Sequence, residues 1–493
     1  MLFLIIFTPI LAAILILVGA PARRTALLAS LFVLALALLA FAVFDPSGRY
    51  PFQYVSTFPI LPDWKLNFSV GLDGLSLVMV LLSAIVTVAA VWFTDKIENY
   101  ERGFYACLLF ISGGAIGAFA SLDLFFFYAF HELALIPTFL LIGIWGSGNR
   151  SAAAWKITIY LAMGSFILLL GLILLYESIP AATRTFYIPD LKTAAAAIPP
   201  EAQRNIYLLL LVGFGILVSL FPFHSWAAEA YASAPAPAAM LHAGVLKKFG
   251  LYGLLRITIP LVPMGARYWT WLLVLLLLGN LIYIGHVTIA QKKLDWMLGY
   301  SSVMHMGYIF LGLASANLLG TTGAAVLMFA HGLSIALLFA IAGEVRKRTG
   351  TLDFEELGGL GQVMPFAGLA FGFGAFAAIG LPGLANFAGE IMIFFGAFGT
   401  GWEMNRFHQF QVATVLGLWG VVISAVYMLR AYRSVFMGTI ADRCKGAVDL
   451  RTSLRIPVTL LIAATLWIGF YPQTMVQRIA PSPRSSFSAT SPR

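Results

Sequence analysis

SLFPFHSWAAEAYASAPAPAAMLHAGVLKKFG, residues 219–250, lies between two apolar runs, LLLLVGFGILV (208–218) and LLRITIPLV (254–262). Two adjacent lysines, Lys247 and Lys248, two histidines, His224 and His242, and prolines at 222, 235 and 237 stand where a greasy chain should hold only packing residues. A charged side chain at the centre of a bilayer costs about 2.5 to 3.5 kcal/mol on insertion scales. Proline inside a helix removes a donor and frees a carbonyl, and such a break survives in hydrocarbon only where protein or water re-satisfies the backbone. The stretch therefore reads as an interrupted membrane helix that lines a polar interior.

The rest of the chain agrees with that reading. Of its 493 residues 60% are hydrophobic and 10% charged, against roughly 25% charged in a soluble domain. Runs of about 20 apolar residues, the length that crosses a hydrocarbon core, recur about fourteen times between 2–19 and 455–473. The opening MLFLIIFTPILAAILILVGA has no basic n-region or small-residue cleavage site, so it is expected to stay as a span. The net charge of +9 sits in short loops rather than on one face of a soluble domain. Positive-inside bias explains it: with the N-terminus outside, Arg23, Arg24, Lys96, Arg346, Lys347, Arg348, Arg430 and Arg433 face the cytoplasmic side. Cys107 and Cys444 are too few for a disulfide framework or metal cluster. The longest connections, 45–69 and 177–205, hold no domain for a nucleotide or flavin.

A second break, Gly380-Leu381-Pro382-Gly383, lies in the twelfth run. Interrupted segments at corresponding places in two halves point to an ion site in a protein built from inverted repeats. The expected fold is an all-α polytopic membrane protein of about fourteen helices, the seventh and twelfth discontinuous. Two inverted five-helix repeats occupy 101–260 (spans four to eight) and 261–440 (spans nine to thirteen), with a three-helix segment at 1–100 and a C-terminal helix and tail at 441–493.

Ionisable residues at membrane depth are Glu132, Lys156, His224, His242, Lys247, Lys248, His286, His305, His331 and Glu390. Several have an ordinary explanation. His224 and His286 can face water from helix ends, and Lys156, one turn inside its helix, can snorkel. Glu132 and Glu390 are harder to dismiss, because apolar residues flank both for about two turns on at least one side. Carboxylate, lysine and histidine groups alternating through a helix bundle form sites whose proton affinities depend on burial and on one another's charge. Separating or rejoining a buried carboxylate and lysine then moves a proton without any bound cofactor.

Ten stretches in order carry a resemblance: GLDGLSLVMVLLS (71–83), DLFFFYAFHELALIPTFLLIGIWG (123–146), HSWAAEAYASAPAP (224–237), VLKKFGLYGLLR (245–256), GYSSVMHMGYIFLG (299–312), AHGLSIALLFAIAG (330–343), ELGGLGQVMPF (356–366), GLPGLANFAGEIMIFFGAF (380–398), YMLRAYRSVFMG (427–438) and IGFYPQ (468–473). The chain resembles the antiporter-like membrane subunits of respiratory complex I, and among them the subunit M, or subunit 4, family. The resemblance implies that Glu132 is the fifth-span glutamate that pairs with a seventh-span lysine, and Lys248 the central eighth-span lysine. It implies that His305 and His331 belong to the connecting polar axis, and that Glu390 is the twelfth-span glutamate, where related subunits L and N carry lysine.

The chain departs from the family in four places. The seventh-span lysine should stand at 217, where the sequence has Leu217, and Lys293 and Asp295 appear in reversed order. Lys247 and His242 replace residues that are usually aliphatic, so the expectation is that one of them supplies the group Glu132 works against. The other reading gives Lys247 a backbone carbonyl or a lipid phosphate and leaves the first half-channel altered or silent. The implied function is a proton-translocating membrane-arm subunit of a complex I-like NADH-quinone oxidoreductase, driven by quinone reduction elsewhere. The alternative is a subunit of a Mrp-type Na+/H+ antiporter, and a third reading is a non-transporting structural subunit. No cofactor is expected in this chain, with NADH, FMN, iron–sulfur clusters and quinone in partner subunits. Partners would be other antiporter-like and small membrane subunits in a bacterial inner (plasma) membrane, with no nucleic acid.

Overall fold

A computed structural model of the chain describes residues 1–47, 49–95, 97–402 and 409–482. Lys96 and the end of the C-terminal tail lie outside the described residues. Among the described residues 11 helices are long and apolar enough to cross a membrane, and Leu2–Val18 and Pro365–Ile379 are shorter apolar helices. The chain is a multi-pass membrane protein.

Burial sorts the helices into a centre and a rim. Gly74–Phe93, Leu294–Ala314 and Leu318–Thr349 are buried along nearly their whole length, whereas Ala22–Val43, Leu124–Trp145 and Arg150–Glu177 have fewer than half of the residues of their apolar windows buried. Phe166 and Ile136 are among the large side chains on that outer surface. A helix apolar on every side, with one face left uncovered, suits lipid rather than water. The long Leu318–Thr349 helix is the hub, packed against Ala385–Trp402, Leu294–Ala314, Gly74–Phe93 and Ala236–Leu241.

Both sequence breaks are breaks in the fold. Pro200–Val218 ends at Ser219, whose φ of 64° is left-handed, and the chain turns through Pro222 before Ser225–Ser233 begins. Asn280 secures the turn, its side chain accepting from the Phe221 amide at 2.7 Å and donating to the Ser219 and Val303 carbonyls at 3.2 and 2.8 Å. One amide side chain thus satisfies the backbone groups that a broken helix exposes in hydrocarbon. The second break follows Pro365–Ile379 at Gly380 (φ 83°) and Gly383 (φ 89°), before Ala385–Trp402.

The helix after the first break is not regular. It runs Ala236–Leu241, then a π turn His242–Leu246, then Lys248–Gly253, a second π turn Leu254–Thr258 and Ile259–Leu261. A π turn adds a residue and re-aims the side chains around it, and such turns gather at functional sites.

The membrane-spanning part is all-helical, as expected, and the connection before Gly74 adds an antiparallel hairpin, Gln53–Leu61 paired with Leu66–Leu72. Pro62–Trp64 and Lys65, at φ 53°, turn the chain between the strands, and alternation in QYVSTF and LNFSV suits a half-covered strand.

Candidate proton-transfer site

Lys248, His331 and His305 are brought together at the centre of the bundle. Lys248 Nζ donates to the Ala243 carbonyl, inside the π turn, at 2.6 Å and meets His331 Nδ1 at 2.9 Å. His331 and His305 follow with ring centroids 5.4 Å apart. The two nitrogens of His305 lie 2.8 Å from the Ser301 and Ala378 carbonyls. A neutral imidazole donates to one of those carbonyls, and the doubly protonated ring donates to both.

This row extends toward Glu390 through small polar groups. Ser334, one turn after His331, donates to the His331 carbonyl at 3.3 Å and to Asn386 Oδ1 at 3.5 Å. Asn386 precedes Glu390 by one turn on the same helix. The buried Glu390 carboxylate lies directly against Gly380, so the second break passes over it with only a hydrogen in the way. His331 Nε2, Tyr308 Oη and Asn386 Nδ2 are buried without hydrogen-bond partners among the described residues. Unpaired buried polar atoms are rare in folded proteins and call for an explanation, of which proton exchange is one.

Lys247 and His242 form a separate cluster. Lys247 Nζ reaches Ser302 Oγ at 3.4 Å and stands 5.6 Å from the centre of the Tyr231 ring, while Tyr231 Oη is 3.1 Å from His242 Nδ1. Glu132 lies apart from both. Its carboxylate, with 37% of the side chain exposed, accepts from Ser165 Oγ, which lies 3.1 Å from Tyr128 Oη. Among the described residues no hydrogen bond or ion pair joins Glu132 to Lys247 or His242, and Leu217 is buried in the apolar core.

Four features escaped the sequence reading. His131 is buried beside Glu132, its ring stacked on Phe249 at 4.0 Å. Arg256, inside the VLKKFGLYGLLR motif, forms a buried ion pair with Asp73 at 2.5 Å. Lys156 does not simply snorkel: its Nζ is 2.8 Å from Glu229 Oε2. Asp295 pairs with Arg346 rather than with Lys293, and Glu229, Lys293, Asp295 and Arg346 line one polar cavity of about 510 Å³ at the loop end of the bundle. His286 is exposed, its Nδ1 against the Ile282 carbonyl of its own helix. Among the described residues no group of three or more His, Cys, Asp or Glu side chains is arranged to hold a metal ion.

The chain has the build of a multi-pass helical membrane protein with a lysine, two histidines and a glutamate buried at its centre. Residues 121–417 match the family described as "NADH:quinone oxidoreductase/Mrp antiporter, TM". The chain is 35% identical over 453 residues to NAD(P)H-quinone oxidoreductase chain 4 3 of Trichormus variabilis, covering 90% of this chain and 82% of the relative. It is 33% identical to F(420)H(2) dehydrogenase subunit M of Methanosarcina mazei, covering 91% and 90%. A chain of respiratory complex I from Thermus thermophilus, solved with bound NADH, has a TM-score of 0.91 at 27% identity over the full length of both chains. The protein belongs to the antiporter-like family of complex I membrane subunits, in its subunit M (chain 4) branch.

Proposed function

We propose that this chain is a proton-translocating membrane subunit of a complex I-like quinone oxidoreductase. The observation that carries the reading is the buried Lys248–His331–His305 row, whose first contact is 2.9 Å and whose rings are 5.4 Å apart. Charges so deep in hydrocarbon are costly, and their side-by-side placement lets one proton pass from ammonium to imidazole to imidazole. Glu390 lies beyond the His331 end of the row, Lys247 and His242 form a separate cluster, and Glu132 stands apart from both. No redox group is assigned to this chain: NADH or another donor, FMN, iron–sulfur clusters and quinone belong to partner subunits, and quinone reduction there drives the movement of protons here.

In this reading the helices make fourteen crossings, with Pro200–Val218 and Ser225–Ser233 forming the interrupted seventh and Pro365–Ile379 and Ala385–Trp402 the twelfth. The two breaks occupy corresponding places in inverted repeats 101–260 and 261–440, between an N-terminal segment 1–100 and a C-terminal segment from 441. The membrane is a bacterial plasma membrane, and the neighbours are other antiporter-like and small membrane subunits. Relatives named for NAD(P)H-quinone oxidoreductase and F(420)H(2) dehydrogenase support a place in such an assembly. A second reading, a subunit of a Mrp-type Na+/H+ antiporter, is favoured by the matched family's description, which spans both assemblies.

The deciding experiment is purification of the tagged protein from its native membrane in mild detergent, with mass spectrometry of what accompanies it and proton uptake measured in resealed vesicles. Iron–sulfur and quinone-site subunits together with quinone-dependent proton movement are the expected result. Membrane partners alone, with Na+-driven proton exchange, would establish the antiporter instead.

A further inference from the structure

We infer that His131 is the protonatable partner against which Glu132 works in place of a lysine, an inference that rests on the proton-translocating reading. The ring is buried between the Leu124–Trp145 helix and the irregular helix after the first break, flat against Phe249 at 4.0 Å and 15°. Phe249 is held in turn by Phe127, stacked at 4.5 Å, so an aromatic wall fixes the plane of the imidazole. Lys248 is the residue next to that wall.

Within that plane the two ends of the ring differ from those of an ordinary core histidine. Nδ1 is buried, has no hydrogen-bond partner among the described residues, and lies 3.8 Å from Glu132 Oε1. An ordinary core histidine has its ring nitrogens satisfied by hydrogen bonds. His131 instead turns an unoccupied nitrogen toward a carboxylate, about half an ångström beyond hydrogen-bond reach. The other described neighbours of Glu132 are the hydroxyls of Ser165 and Tyr128, and among the described residues no lysine or arginine pairs with it. The basic side chain that the described residues set against Glu132 is therefore an imidazole, suited to pass protons near neutral pH.

The transfer balances in protons. Protonated Glu132 gives its proton to Nδ1 and becomes a carboxylate. The imidazolium returns that proton to Glu132, or releases its Nε2 proton and is left as the other neutral tautomer, which rotation of the ring resets. An approach of about half an ångström brings Glu132 within hydrogen-bond distance of Nδ1, and a similar withdrawal closes the route.

The test compares His131→Phe, which keeps the aromatic stack, with His131→Gln, which keeps a polar group but cannot titrate. Both are made in the assembled complex, with quinone reduction and proton translocation measured in the same vesicles and with Glu132→Gln as reference. Expected is intact assembly in both variants, proton transfer through the chain slowed about a hundredfold, and no further loss when His131→Phe is added to Glu132→Gln. Wild-type proton-to-electron ratios in either variant would overturn the inference. Loss in the glutamine variant with retention in the phenylalanine variant would assign His131 to packing and overturn it equally. A wild-type complex that reduces quinone without moving protons would count against the functional reading itself.

Discussion

Gly244 and Gly332 face each other across the crossing of the irregular 236–261 helix and the Leu318–Thr349 helix, each beneath the other's carbonyl. A Cβ on Gly332 would lie 2.7 Å from the Gly244 oxygen, and one on Gly244 would lie 3.1 Å from the Gly332 oxygen. Side chain-free crossings let membrane helices approach closely. One turn beyond Gly244 is Lys248, and next to Gly332 is His331, so this crossing sets the 2.9 Å contact between them. Gly332→Ala should force the helices apart at an overpacking cost of about 1–3 kcal/mol and break the Lys248–His331 contact. The expected outcome is a lower thermal midpoint together with loss of proton translocation, whereas Ala336→Gly on the same helix should leave the Lys248–His331 spacing unchanged.

Lys248→Met preserves the length and burial of the side chain and removes its proton. Translocation should fall about a hundredfold, while the complex still assembles, because the methionine fills the same volume. His331→Leu should have the same effect, since His331 Nδ1 stands 2.9 Å from Lys248 Nζ and its other nitrogen is buried without a partner among the described residues. The two substitutions interrupt one path, so the double variant should be no slower than either alone. Paired measurement of quinone reduction and vesicle acidification checks this, and additive losses would mean that the residues serve separate paths.

Asn280 holds three backbone groups at the first break: the Phe221 amide and the Ser219 and Val303 carbonyls. Asn280→Leu leaves the Phe221 amide and the Ser219 carbonyl unpaired, at about 1–3 kcal/mol for each, whereas the Val303 carbonyl lies inside Leu294–Ala314 and keeps its helical partner. The expected result is poor accumulation of the protein and a lowered melting midpoint in detergent. Asn280→Asp, which keeps the acceptor for Phe221 but not the donors, should fall between the two.

Much of this architecture could be read from residue types. Apolar run length marks the spans, and Pro222, Gly380 and Pro382 mark the breaks, because both signals are properties of single positions or short windows. Lys248, His305, His331 and Glu390 stand out for the cost of burying them. What escaped depends on relations across the fold. Asp295 takes Arg346, 51 residues away, in place of its near neighbour Lys293. Asn280 carries no charge and sits in a run of leucines, so nothing local signals a staple for the 219–224 turn. The π turn at His242–Leu246 is a shift in backbone hydrogen-bond register, which composition does not encode. His131 was overshadowed by the glutamate beside it, although a histidine and a glutamate together in an apolar helix are a signal that could have been used.

Gly380 is tested by its conformation and by its neighbour. Its φ of 83° is left-handed, and a Cβ there would overlap the Glu390 carboxylate. Gly380→Ala therefore adds backbone strain of order 1–3 kcal/mol and displaces Glu390 from the end of the row. Gly438, also left-handed at φ 82° but with nothing near its Cβ position, is the control. Gly438→Ala should lower stability alone, whereas Gly380→Ala should lower stability and proton translocation together.

The Asp73–Arg256 pair separates charge from helix capping. Asp73 Oδ1 accepts from the Ser76 amide at 2.9 Å, capping Gly74–Phe93, and also holds the Arg256 guanidinium at 2.5 Å, with 4% and 12% of the two side chains exposed. Asparagine caps a helix about as well as aspartate, so Asp73→Asn keeps the cap and removes only the negative charge. A buried arginine without its partner is worth about 3–5 kcal/mol of destabilisation, and Tyr252 and Ser76, which also contact Arg256, supply hydroxyls but no charge. Arg256→Met in the Asp73→Asn background removes the stranded cation and should recover most of the loss, because replacing both members of a buried pair is close to neutral. Thermal midpoints of the four forms in detergent give the coupling directly. A double variant as unstable as Asp73→Asn alone would mean that Arg256 acts through its packing on Phe52 and Tyr252 rather than through its charge.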